Sequence, residues 1–133
     1  MKLGIDLHGV IDTNPRLYKI ILETMGKRME VHIISGPPRS EIIEELNELG
    51  FKKGVHYKEV HSIVDFLKEN GEEMYQDENG SWWTDNDDHW RATKANICNK
   101  FQIDAMIDDK EMYKDGFKDI KTEFVLFEDP LCT

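Results

Sequence analysis

Lys2-Leu3-Gly4-Ile5-Asp6-Leu7-His8-Gly9-Val10 opens the chain with a short apolar run that ends on a carboxylate and turns at a glycine. The run from Lys2 to Leu7 reads as a buried strand, and the polar turn after it as a loop. An aspartate just beyond a buried strand is costly to keep for structure alone, because a bare carboxylate loses its hydration there. Asp6 is therefore the first candidate for chemistry, and His8 stands two residues on in the same loop.

Outward from that loop, strand and helix patterns alternate. Asn14-Pro15 is a cap followed by a first-turn proline, and Leu17, Ile20, Ile21 and Met25 carry a helical period to about Arg28. Val31 to Ile34 predicts a second strand, ending at Ser35-Gly36-Pro37-Pro38. Ile42, Ile43, Leu46 and Leu49 predict a helix closed by Gly50, and a third strand is expected near His56 to Val60. A short helix follows through Ile63, Val64, Phe66 and Leu67, ending at Gly71. Glu73-Met74-Tyr75-Gln76 and Ser81-Trp82-Trp83-Thr84 flank Asp77-Glu78-Asn79-Gly80, and the Asn-Gly pair is a strong hairpin signal. A helix with Trp90, Lys94, Ile97, Cys98 and Phe101 then leads into a strand at Ala105-Met106-Ile107, which runs into Asp108-Asp109. Phe124 to Phe127 is the last expected strand.

This alternation predicts an α/β, Rossmann-like three-layer sandwich: a mainly parallel five-stranded sheet with helices on both faces. The 133 residues suit one domain, with a small β-hairpin insertion at about 72–86. Such sheets place ligands beyond the carboxyl ends of their strands. Asp6 and His8 follow the first strand, Ser35 and Gly36 the second, and Asp108 with Asp109 the strand after the hairpin. Lys94 joins them from the helix leading into that strand. Carboxylates from two strand ends make a hard oxygen site suited to Mg²⁺ beside a substrate phosphate. A carboxylate can also attack phosphorus, while a serine hydroxyl and a lysine ammonium hold the non-bridging oxygens.

The chain resembles the haloacid dehalogenase-like hydrolase superfamily. The first motif of that group is matched by Asp6-Leu7-His8-Gly9-Val10, the second by Ile33-Ile34-Ser35-Gly36, the third by Lys94 and the fourth by Ile107-Asp108-Asp109, in the expected order. The resemblance implies a Mg²⁺-dependent phosphatase acting on a small phosphomonoester, of the nucleotide or sugar phosphate class. Asp6 would be the nucleophile and a metal ligand, and the backbone carbonyl of His8 a second ligand. Asp108 would be the third, with Asp109 ligating through water or orienting Lys94. Ser35, Gly36 and Lys94 would bind the phosphoryl group.

The chain departs from that pattern at His8, where most phosphatases of the group carry a second aspartate as general acid and base. Three outcomes follow: imidazole takes over the acid–base work, the aspartyl phosphate hydrolyses slowly, or the site binds metal and ligand without turnover. A non-catalytic, phosphate-binding protein is thus the alternative function. A phosphoacceptor receiver domain uses similar residues, but with the acidic pair after its first strand, and the order here is the reverse. The insertion leaves an open site, in which Trp82, Trp83 and Trp90 either pack the hairpin onto the core or offer a stacking face to a nucleobase or sugar.

Composition sets the remaining bounds. A formal net charge of -10 argues against duplex nucleic acid as a partner, since few cations are available to displace its counterions. No apolar run nears the roughly 20 residues that span a bilayer, and a carboxylate at position 6 comes too early for a signal peptide. A cytoplasmic location with no membrane partner is the expectation. Cys98 reads as a buried small hydrophobe and Cys132 as uninformative, and the scattered His32, His56, His61 and His89 lack zinc-ligand spacing.

Overall fold

Alternation along the strands decides which side of the sheet each residue serves. The computed structural model describes residues 1–128, so Cys132 lies outside the described residues. Strands β1 (Lys2–Ile5), β2 (Glu30–Ser35) and β3 (Glu59–Ser62) precede a short antiparallel hairpin of β4 (Tyr75–Gln76) and β5 (Trp82–Trp83). After it come β6 (Ala105–Asp108) and β7 (Glu123–Leu126). The five longer strands form one sheet in the order β3-β2-β1-β6-β7, and every pairing in it is parallel. In β2, Val31 and Ile33 join one core cluster, whereas Ile34 joins another.

The first cluster is closed by Leu22 of α1 (Pro15–Met25) and by Ile42 and Leu46 of α2 (Arg39–Glu48). The second is closed by Ile63 and Leu67 of α3 (Ile63–Glu69) and by Ala95, Ile97 and Cys98 of α4 (Asp87–Lys100). Helices on both faces give the three-layer α/β arrangement expected from the sequence. Each fully buried Leu, Ile or Val in these clusters contributes roughly 1.5–3 kcal/mol relative to exposure. Cys98 is wholly buried, in keeping with its reading as a small hydrophobe.

Local signals explain most helix boundaries. The Asn14 side chain accepts the Leu17 N–H at 3.2 Å and Pro15 opens α1. Ser62 caps α3 through the Asp65 N–H, and Asn86 caps α4 through the His89 N–H. Gly50 ends the α2 segment with φ +87°, the left-handed conformation expected there. Helix α1 stops at Met25 rather than near Arg28, because the Met25 carbonyl accepts from both Arg28 and Met29 in a terminal turn.

The third strand also lies further along than expected, at Glu59–Ser62 rather than from His56. A tight turn takes the earlier residues: His56 Nδ1 accepts the Lys52 N–H at 2.8 Å while the His56 N–H donates back to the Lys52 carbonyl. Buried His56 also bonds Glu23 of α1 through Nε2, so it anchors a loop. Among the described residues, no helix is long and apolar enough to cross a membrane.

Candidate phosphoryl and metal site

From β1 the chain winds outward through β2 to β3, then returns to pair β6 with the other side of β1. The direction of winding therefore reverses between β1 and β6, and a crevice opens beyond the carboxyl ends of strands at such a point. Asp6 follows β1 there, and its N–H donates to the Ile107 carbonyl at 3.0 Å. Asp108 ends β6 on the opposite side of the crevice.

Lys94 lies between the two carboxylates. Its Nζ is 2.5 Å from Asp108 Oδ2 and 3.3 Å from Asp6 Oδ2. Lys94 is 2% exposed, Asp6 4% and Asp108 0%, so water screens none of the three. Burial works against the ammonium, yet Asp6, Asp108 and the nearby Tyr113 hold its pKa above the ordinary lysine value. Lys94 is therefore a fixed positive charge. The second oxygen of Asp108 accepts the Lys110 N–H at 3.0 Å, so both Asp108 oxygens have protein partners.

Asp6 and Asp109 differ from Asp108 in this respect. Asp6 Oδ1 and Asp109 Oδ1 are both buried with no hydrogen-bond partner. Burial, opposed by Lys94 and reinforced by Asp108, raises the Asp6 pKa to about 6. Burial and then the neighbouring Asp108 charge raise that of Asp109. Asp6, Asp108 and Asp109 each offer a carboxylate oxygen within 4.8 Å of the others. Orphaned buried acceptors converging in this way are what a hard divalent cation satisfies, and the oxygen-only donor set fits that chemistry. Gly9 has φ +87°, and a Cβ there would run into the Asp109 carboxylate, so glycine lets the loop pass beneath it.

Of the other expected residues, Ser35 adjoins this centre, while Gly36 and His8 follow the same strand ends. Ser35, 1% exposed, ends β2 and its hydroxyl favours the ionised form of Asp6. Gly36 follows it and accepts the Val64 N–H at the start of α3. His8 is half-exposed in the loop after Asp6, with its Nε2 2.5 Å from Glu45 Oε2 of α2. A carboxylate on Nε2 fixes the imidazole orientation and leaves Nδ1 as the other working nitrogen.

Two contributors escaped the sequence reading. Glu45 is one of several acidic residues along α2, and its partner is 37 positions away, so nothing local marks it. Tyr113, in the 3₁₀ segment Glu111–Phe117, places its ring 4.4 Å from Lys94 Nζ and accepts the Trp90 indole N–H at 3.1 Å. Its position soon after Asp108-Asp109 was the available signal. The hairpin forms where the Asn-Gly turn predicts. Trp90 packs against the second core cluster, while Trp83 is 46% exposed and Trp82 half-buried. Compared with known protein families, curated proteins and solved structures, the chain has no match.

Proposed function

We propose that the protein is a Mg²⁺-dependent phosphatase that hydrolyses a small phosphomonoester through an aspartyl phosphate on Asp6. The observation that carries this reading is the buried Asp6–Lys94–Asp108 arrangement with partnerless oxygens on Asp6 and Asp109. A structural ion pair needs one anion and satisfied lone pairs, whereas here two carboxylates share one ammonium and a third, Asp109, converges on them, leaving an excess of negative charge. Asp6, Asp108 and Asp109 would hold Mg²⁺, together with the backbone carbonyl of His8. The cation would supply charge neutralisation for the incoming phosphate and lower the fraction of Asp6 that is protonated.

The chain's own groups account for the remaining chemistry. Asp6 attacks phosphorus, forming the carboxyl O–P bond as the bond to the leaving alkoxide breaks. Ser35 and Lys94 bind the non-bridging oxygens, and Lys94, pinned by Asp108, needs no reorganisation to do so. His8 gives its proton to the leaving oxygen and then takes one from the water that hydrolyses the aspartyl phosphate. Glu45 holds the imidazole for both steps. The resemblance to haloacid dehalogenase-like hydrolases supports the same assignment, with His8–Glu45 standing where that group has its second aspartate.

An aryl phosphate assay with and without Mg²⁺ tests the proposal. Turnover should require Mg²⁺ and fall on the order of a thousandfold or more in Asp6→Asn. His8→Ala should lose roughly a hundredfold or more, the usual worth of a general acid–base. No turnover by the wild type across a panel of phosphomonoesters would assign the site to binding instead.

A further inference from the structure

Trp90 and Lys94 are four residues apart on α4, so they share one face of the helix, with Trp90 a turn nearer its N-terminus. Lys94 reaches the carboxylates, and Trp90 lies against the turn after Ser35. A Cβ at Gly36 would sit 3.4 Å from the Trp90 ring, an ordinary contact distance, so the ring lies directly over that turn. The indole is fixed by its bond to Tyr113, whose ring also borders Lys94 Nζ. Trp90 thus continues the wall of the phosphoryl site outward.

Beside that wall is a cavity of about 410 Å³, lined by Trp90, Pro37 and Pro38 on the core side and by Asn79, Ser81 and Trp82 of the hairpin. Its size falls in the range of small-molecule sites and exceeds what a phosphate alone would fill. The tryptophans and prolines offer flat, apolar surface. Asn79, Ser81 and Glu41 add hydrogen-bonding groups at the edges. Lys68 Nζ covers the Trp82 ring at 3.6 Å from its centroid, which holds that ring in place. Glu41 is the charged residue in the lining, so the cavity repels a phosphate and suits an uncharged group attached to one.

We infer that this cavity, between Trp82, Trp90 and the Pro37-Pro38 turn, is the base subsite for a nucleoside monophosphate whose phosphate lies at Asp6 and Lys94. The inference rests on the phosphatase reading and names its substrate class. Flat walls select a ring face, and polar edges select the ring heteroatoms and exocyclic groups that a nucleobase carries and a plain aryl group lacks. Base–aromatic stacking is sequence-tolerant, so affinity for the ring comes from the walls and choice among bases from the edges.

Calorimetric titration of the full-length Asp6→Asn protein with Mg²⁺ tests this without relying on turnover. The ligands are the four nucleoside 5′-monophosphates and ribose 5-phosphate. At least one nucleotide should bind about tenfold or more tightly than ribose 5-phosphate, the gain expected of one stacked base. Adding Trp82→Ala, on the hairpin and outside both core clusters, should shrink that ratio to about twofold or less. Ribose 5-phosphate binding as tightly as every nucleotide, or a ratio unmoved by Trp82→Ala, overturns the base subsite and leaves the phosphoryl site standing. Binding of neither class, by this variant and by the wild-type protein alike, overturns the phosphoryl reading and the subsite with it.

Discussion

The carboxylate cluster at the sheet edge and a partly buried histidine relay between β2 and β3 differ in what each leaves unpaired. At the carboxyl ends of β1 and β6, Lys94 serves Asp6 and Asp108 while Asp6 Oδ1 and Asp109 Oδ1 have no partner. In the β2–β3 pair, the Glu30 carboxylate is 2.8 Å from His32 Nε2, and His32 Nδ1 is 2.8 Å from His61 Nε2. Phe101 covers His61 with ring centroids 4.3 Å apart. Lys58, and after it His32, hold the Glu30 pKa down at about 2, so the relay has a settled anion at one end. One donor meets one acceptor at each step. The relay is self-sufficient, whereas the Asp6 cluster is incomplete without a cation from outside. Partnerless buried oxygens, more than buried charge itself, separate a site from a structural network.

The largest expected effect comes from removing the one cation inside the incomplete cluster. Lys94→Met leaves Asp6 and Asp108 facing each other with no neutralising charge. Breaking a buried pair in this way costs about 3–5 kcal/mol. Urea unfolding at neutral pH without divalent metal measures it, and Mg²⁺ should restore part of the loss by binding the unneutralised carboxylates. A cost below about 1 kcal/mol would mean that the ammonium is not offsetting the acidic groups as described.

Both clusters depend on contacts that a linear reading cannot supply, yet one was legible in sequence and the other was not. Asp6, Ser35 and Asp108 each follow an apolar run, and parallel α/β topology sends every strand end to the same edge. Their convergence thus follows from the alternation of strands and helices. Lys94 is visible because its helix leads directly into β6. The His32–His61 bond, by contrast, requires the β2–β3 register, which pairs Ile34 with His61 and sets His32 on the adjacent diagonal. A third strand read over His56 to Val60 stops short of His61, and the turn at Lys52–His56, which contains Gly54 at φ +88°, is also held by a histidine ring whose bond to the Lys52 N–H no local pattern announces. Glu45 and the Trp90–Gly36 contact were illegible for the same reason, since each joins elements far apart in the chain through side chains with no local pattern.

Acidity should pull the two clusters in opposite directions. Asp6 has its folded pKa raised from 3.8 to about 6, so metal-free folded protein keeps a proton that the unfolded chain has lost. Its contribution therefore weakens stability as pH rises through that window, by about 3 kcal/mol in all at 1.4 kcal/mol per unit. His61 behaves oppositely: burial, then His32, lowers its pKa from 6.5 to about 4. The unfolded chain takes up that proton first, so stability rises with pH between about 4 and 6.5. In metal-free protein, Asp6→Asn should remove the fall and gain on wild type as pH rises, and His61→Phe should remove the rise. Saturating Mg²⁺ should abolish the Asp6 effect and leave that of His61. Parallel shifts of both variants across the window would show that neither group carries the pH dependence assigned to it.

The smallest effect tests the claim that the relay is merely satisfied. Replacing both histidines together, as His32→Leu with His61→Phe, removes donor and acceptor at the same step and leaves neither orphaned. Such paired replacement is close to neutral, within about 1 kcal/mol, even though deleting one member of a buried bond costs more. Glu30 keeps Lys58 at 2.7 Å and Lys2 at 3.7 Å, so its carboxylate is not stranded by the loss of His32. Phe101 still has an aromatic ring to pack against at position 61. Urea midpoints at neutral pH should therefore match wild type closely, and aryl phosphate turnover per folded molecule should not change. A loss above about 3 kcal/mol, or a fall in turnover with the fold intact, would place the relay among the working parts and erase the distinction drawn from partnerless oxygens.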